Sequence, residues 1–268
     1  MVMAWKAEGR NRARHAMLRA RSAEGAAMND RPAIGSIAPS SNRVVERTLA
    51  VILRRFPGLD SRVARIPFHG AGLGQPKDGY DSEPYRHAAW QLGHARVGVA
   101  CWNGTRGAGL GLDADRALCA VMAEAAGCPA TTTALAAAAL LDRLGARRIG
   151  IVTPGGVAQA EEAARGLGRT LAGARGLGLT DNHAASRVPA ARIAELAREV
   201  AASRPDAILL WSTNLAGWEA VAPLEAELGI PVIDSASAGV WACLDAIGLD
   251  LAPAAPLGGV FAIARRGP

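Results

Sequence analysis

AIGSIAP at residues 33–39 and RRIGIVTP at 147–154 carry one string twice: an Ile-Gly step, three further residues and a proline, Ile34 to Pro39 against Ile149 to Pro154. Each is a continuous apolar run rather than an alternating one. Such runs mark strands covered on both faces, as in the parallel sheets of α/β proteins. Working outward, similar runs predict strands near 62–68, 96–101, 207–212 and 230–233. Segments of helical period lie between them, near 42–55, 81–94, 113–126, 133–145, 157–173, 189–203, 217–228 and 238–247.

The duplication extends beyond the first strand. The run ending at Cys101-Trp102-Asn103 has a counterpart ending at Thr213-Asn214. Gly127-Cys128-Pro129 with Thr131-Thr132 has one in Gly229-Ile230-Pro231 with Asp234-Ser235. Three matches in one order predict two α/β lobes related by a pseudo-twofold axis, each a parallel sheet flanked by helices. The expected division is residues 32–129 plus 236–268 for the first lobe and 130–235 for the second, after a disordered leader over 1–31. Ligands of open parallel sheets bind beyond the carboxyl ends of the strands. The cleft between the lobes is therefore the expected active site, with Cys101 at its mouth.

Composition narrows the function classes. The chain has 268 residues, half of them apolar, enough to bury a large core. No apolar run approaches the roughly 18 residues of a membrane helix. Of the net charge of +6, residues 1–31 hold seven basic against three acidic side chains, leaving about two charges for the remainder. Beyond the leader no basic stripe alternates with aromatics, which argues against nucleic-acid binding. Met28 opens MNDRPAIG just before the first strand and reads as an alternative start. Four cysteines without a CxxC spacing or a nearby histidine argue against a zinc site. Without a secretory signal they are expected as reduced thiols in the cytoplasm, with Cys119, Cys128 and Cys243 as buried apolar residues.

Several motifs resemble those of the aspartate/glutamate racemase superfamily, in its maleate isomerase and arylmalonate decarboxylase branch. Pro39-Ser40-Ser41-Asn42 with Glu46 resembles PSSN-x-x-x-E, and Cys101 with Gly104-Thr105 resembles C-[TS]-x-G-T. Leu144 to Ile149 resembles LG-x-RR-[IV], while Gly229 to Val232 and Ser237 to Trp241 resemble G-[IL]-PV and S-x-x-x-W. The resemblance spans about Ile34 to Gly248. It implies an enzyme without cofactor or metal, acting on a small carboxylic acid through cysteine at strand ends, and dimers are common among similar proteins. Departures are also legible. Thr213 stands at the second cysteine position, Gly155 and Gly156 replace a tyrosine that holds a substrate carboxylate, and Trp102 replaces a small hydroxyl residue.

The candidate catalytic pair is Cys101 and Thr213. Turn amides and a helix N-terminus beside Cys101 would favour its thiolate. A thiolate adds to a conjugated double bond such as that of maleate, permits rotation and leaves, or it exchanges a proton next to a carboxylate. Ser40, Ser41, Asn42, Asn103, Thr132, Asn214 and Ser235 are the expected substrate donors, with Trp102 narrowing the pocket. His69 is assigned a structural role. A threonine hydroxyl is a poor second proton carrier, so one-sided chemistry is expected. The sequence thus predicts a cysteine-dependent isomerase, of the maleate or racemase type, with a malonate decarboxylase or a silent carboxylate-binding protein as alternatives.

Overall fold

The computed structural model describes residues 31–67, 76 and 78–263. The leader and His69 lie outside the described residues. The chain runs β1 (Ala33–Pro39), α1 (Val45–Leu53), β2 (Asp60–Ile66), α2 (Ser82–His94), β3 (Ala100–Trp102), α3 (Arg106–Leu110), α4 (Leu112–Ala126), β4 (Ala130–Thr132) and α5 (Thr133–Leu144). It repeats this course as β5 (Arg148–Thr153), α6 (Val157–Gly166), β6 (Thr170–Gly176), α7 (Asn182–Ala185), α8 (Ala190–Ala201), β7 (Ala207–Leu210), α9 (Trp218–Leu228), β8 (Val232–Asp234) and α10 (Ser235–Ala246). Two 3₁₀ turns, Ala252–Leu257 and Gly259–Ala262, close the described chain.

The strands form two parallel four-stranded sheets with orders β2-β1-β3-β4 and β6-β5-β7-β8. The same topology twice is the architecture that the repeated Ile-Gly string predicts. Residues 130–132, beyond the expected division at 129/130, supply the fourth strand of the first sheet. The helix expected over 157–173 stops at Gly166, because Gly168 takes φ +66 and turns the chain back into β6. The strand expected over 96–101 narrows to Ala100–Trp102, since Arg96 at φ 55 is still part of the turn from α2.

Apolar side chains fall into three layers. The central cluster joins the inner faces of both sheets through α1, α5, α6 and α10, and holds Ile34, Cys101, Ile149 and Leu209. An outer cluster covers the first sheet with α2 and α4, around Ile37, Trp102, Tyr85 and Met122. Its counterpart covers the second sheet with α8 and α9, around Val152, Ile208 and Leu210. Alternation along each strand decides which residue faces which layer. Helices α3 and α6 meet in backbone contact: a Cβ at Gly166 would lie 1.5 Å from the carbonyl oxygen of Ala108.

Alanine gives α5 a thin face, with Ala134, Ala137 and Ala138 buried, so that α10 packs closely against it. At one end of this contact Arg143 Nη2 donates to Asp245 Oδ2 at 2.7 Å and Nη1 to Oδ1 at 3.3 Å. The guanidinium also stacks 4.6 Å from the Trp241 ring centroid. Replacing Arg143 with Ala removes a two-bond, largely buried ion pair and a cation–π contact together, and is expected to cost about 1–2 kcal/mol. Chemical denaturation of the two proteins measures the loss.

Candidate functional site in the cleft between the sheets

Strand registers define the equivalence of the two halves. Ser36 lies opposite Cys101 and Ile37 opposite Trp102, while Ile151 lies opposite Leu209 and Val152 opposite Leu210. One step further, Asn103 N donates to Ile37 O at 2.8 Å and Trp211 N to Val152 O at 2.7 Å. Cys101 is therefore the counterpart of Leu209. By the same count Gly104 corresponds to Ser212, Thr105 to Thr213, and Arg106 to Asn214.

A cleft of about 720 Å³ opens at these strand ends, lined from both halves. Gly104, Thr105 and Arg106 contribute from one side and Ser212, Thr213 and Asn214 from the other, beside Asn42, Gly155, Gly156, Trp102 and Trp211. Asn42 bridges the halves. Its Nδ2 donates to the Thr213 carbonyl at 3.1 Å and to Thr213 Oγ1 at 3.2 Å. Its Oδ1 accepts from Val44 N at 2.8 Å and Val45 N at 2.9 Å, satisfying the start of α1. Arg65 holds the same loop by donating to the carbonyls of Pro39, Ser40 and Asn42 and to Glu46. Asn214 is fixed by Arg43 N on its Oδ1 and by its own Nδ2 on Asn182 O.

Of the residues expected at the site, Asn42, Trp102, Thr213 and Asn214 line the cleft. Cys101 does not. It is fully buried in the central cluster, where a hydrogen bond with Cys243 and burial push its thiol well above the ordinary value. The expected thiolate at a polar turn is thus corrected: β3 carries the chain on to Gly104 before the cleft begins. Cys128 and Cys243 are buried as expected, and burial pushes the partly buried Cys119 up to about 12. No cysteine lines the cleft among the described residues, which include all four.

Five further candidates lie outside the cleft lining. Asn103 is buried between α5 and α10, accepting from Thr133 Oγ1 and donating to Ala236 O. Thr132 caps α5 through Leu135 N and donates to Asp115. Ser235 donates to Leu210 O at 2.8 Å. Ser40 and Ser41 are exposed on the loop, with Ser41 Oγ accepting from Asn182 Nδ2.

Gly104, Thr105, Arg106 and Ser212 are the site residues that the sequence reading passed over as pairs. Counting equal steps from the two Ile-Gly strings across the sheets was the signal that could have found them. Trp102 explains why position 104 carries no side chain: a Cβ there would lie 2.4 Å from the indole. Among the described residues the amides of Gly104, Thr105 and Thr213 donate to no carbonyl or side chain. Together with the Ser212 hydroxyl they give a cleft of hydrogen-bond donors, suited to a ligand carrying negative charge.

Two buried carboxyls support the floor. Asp115 accepts from Tyr80 Oη at 2.7 Å and from Thr132, and lies directly under Gly107 of α3. Burial raises its pKa against the pull of both donors. Asp234 caps α10 by accepting from Ser237 N and Oγ, each at 2.8 Å, yet burial still raises it to about 6.

Gly104→Ala is expected to lower the thermal midpoint by several degrees, as the indole or the turn must shift, whereas Gly156→Ala, where a Cβ meets nothing, is expected to be near neutral. The Asp234 carboxyl keeps its proton to higher pH in the folded than in the unfolded chain. It therefore subtracts stability as pH rises from about 4 to about 6, on the order of 3 kcal/mol in full. Asp234→Asn keeps the cap and removes this slope, so its stability relative to the parent is expected to grow from pH 4 to pH 7 in parallel urea titrations.

Comparison with known proteins identifies the family. The sequence model described as arylmalonate decarboxylase matches residues 67–260. Arylmalonate decarboxylase of Bordetella bronchiseptica is 32% identical over 229 residues, 78% of this chain and 88% of that protein. A liganded crystal structure of arylmalonate decarboxylase, with one glycine changed to cysteine and one cysteine to serine, superposes with a TM-score of 0.71 at 29% identity, over 81% of this chain and 93% of that one. A Nocardia farcinica maleate cis-trans isomerase bearing a covalently bound succinylcysteine shares the fold, with a TM-score of 0.77 at 24% identity over 87% and 98% of the two chains. The chain belongs to the arylmalonate decarboxylase family, within the aspartate/glutamate racemase-like superfamily that its motifs resemble.

Proposed function

We propose that this protein decarboxylates a small substituted malonate in the cleft, without a cofactor, and that Ser212 delivers the proton. The observation that carries this reading is the make-up of the cleft. Ser212 lines it at the strand end, and none of the four cysteines does. Isomerisation through an adduct needs a thiolate within reach of the double bond, and Cys101 is enclosed in the core with its thiol held protonated. Two-base racemisation needs a proton carrier on each face, and Gly104 offers none opposite Ser212.

Decarboxylation asks less of the protein. The bond between the α-carbon and one carboxylate breaks, CO₂ leaves, and the electron pair is delocalised into the remaining carboxylate as an enediolate. Amides and hydroxyls at Gly104, Thr105 and Thr213 are placed to stabilise that charge. The carbanion is a far stronger base than a serine alkoxide, so a hydroxyl suffices to protonate it even where it could not abstract a proton in reverse. Water then restores the Ser212 proton.

Proton NMR in deuterated water with 2-methyl-2-phenylmalonate and with maleate tests the reading. The expected outcome is CO₂ release with one deuteron in the product, no fumarate, and no loss of rate after alkylation of accessible thiols. Ser212→Ala is expected to lower kcat by about 10²- to 10⁴-fold. Fumarate from maleate, or inactivation by stoichiometric alkylation of Cys101, would sink it.

A further inference from the structure

We infer that Arg106 is an anion-recognition residue of this cleft: it pairs with one carboxylate of the malonate ligand, and that carboxylate is the one retained. The malonate identity of the ligand and the fate of that carboxylate rest on the decarboxylase reading; the pairing of an anion with Arg106 stands on the site itself.

Arg106 lines the cleft at the first residue of α3. A cation there is opposed by the positive end of the helix, so the helix does not account for it. Its Nη2 donates to the carbonyls of Pro76 and Gly79, which fixes the plane of the guanidinium. Among the described residues its Nε is buried without a partner, and Nη1 makes no hydrogen bond. A buried charged donor left unsatisfied is costly, and arginine is the side chain whose fork matches a carboxylate with two parallel bonds.

The acidic groups near this end are spent or unpaired with it. Asp115, under Gly107, accepts from Tyr80 and Thr132. Asp181 caps α7 through Ala184 N, and Glu162 on α6 makes no ion pair with Arg106. Arg165 at the end of α6 also lines the cleft, whereas Arg43, Arg65, Arg143 and Arg169 are outside the lining; Arg106 is the one of the two that stands at a strand end, beside Gly104 and Thr105. The cleft of about 720 Å³ is also far larger than two carboxylates, leaving room for a substituent against Trp211 and Leu179.

If the ligand's two carboxylates are inequivalent in the cleft, their fates differ. A carboxylate that departs becomes neutral CO₂, and an ion pair to Arg106 opposes that loss of charge at the carboxylate it holds. The same pair favours the enediolate, whose oxygens gain charge as the other carboxylate departs. The guanidinium end thus holds the growing charge and the Ser212 end supplies the proton.

Calorimetric titration of the full-length protein with malonate at low ionic strength, set beside CO₂ release from 2-methyl-2-phenylmalonate, tests the inference. Arg106→Met is expected to weaken malonate binding about 30-fold or more, and Arg106→Lys by a smaller factor, since it keeps the charge but loses the fork. Added methylguanidinium is expected to recover part of the rate of Arg106→Ala, which a merely structural role would not permit. Malonate affinity unchanged in Arg106→Met, with its thermal midpoint intact, overturns the inference, as does absence of malonate binding by the parent protein. Tight, Arg106-dependent malonate binding without CO₂ release from any substituted malonate overturns the decarboxylase reading and leaves the assignment of Arg106 standing.

Discussion

Asn42 has one amide group and four obligations, and the cleft depends on its meeting all of them. Its oxygen satisfies two amides at the start of α1, and its nitrogen reaches across to the carbonyl and hydroxyl of Thr213 in the other half. A buried amide with both ends used this way costs little to desolvate and has one orientation. It sets where α1 begins relative to the end of β7, and so fixes the distance between the two sets of strand-end donors. Arg65 reinforces the arrangement from outside by gathering the carbonyls of the same loop.

Much of the scaffold was legible because its signals are local and repeated. Continuous apolar runs gave the buried strands, and the twin Ile-Gly strings gave the duplication of sheet order. The short helices α3 and α7 and the edge strands β4 and β6 were not legible. Arg169, Arg175 and the glycines of β6 resemble a polar helix end, and only the φ of Gly168 separates the two. In the cleft, Asn42 lies where its PSSN motif suggested and Thr213 and Asn214 where their strand end suggested, but the registers set Thr213 opposite Thr105 and not, as expected, opposite Cys101. Cys101 misled because a thiol followed by a glycine turn has the composition of a nucleophile site. Its depth in the sheet is a matter of register, and β3 shows only three residues of ladder.

The two halves share topology and have diverged in what their strand ends present. At one end Trp102 fills the space that a side chain at Gly104 would need. At the other, Leu210 stands where Trp102 does, and Ser212 keeps its hydroxyl in the cleft. Arg106 against Asn214 repeats the contrast as charge against amide. A symmetric frame thus holds an asymmetric site, one side carrying positive charge and the other an exchangeable proton. That division of labour suits a reaction whose two carboxylates begin chemically alike and end differently.

The backbone contact between α3 and α6 has a bearing on traffic. With Gly166 pressed against the Ala108 carbonyl, the two halves are clasped at the rim that Arg106 and Arg165 share. Hinged opening there would break a seam that no other residue type at 166 could re-form without displacement. Passage of small molecules by side-chain rotation would leave that seam whole, whereas a jaw-like opening would have to part it.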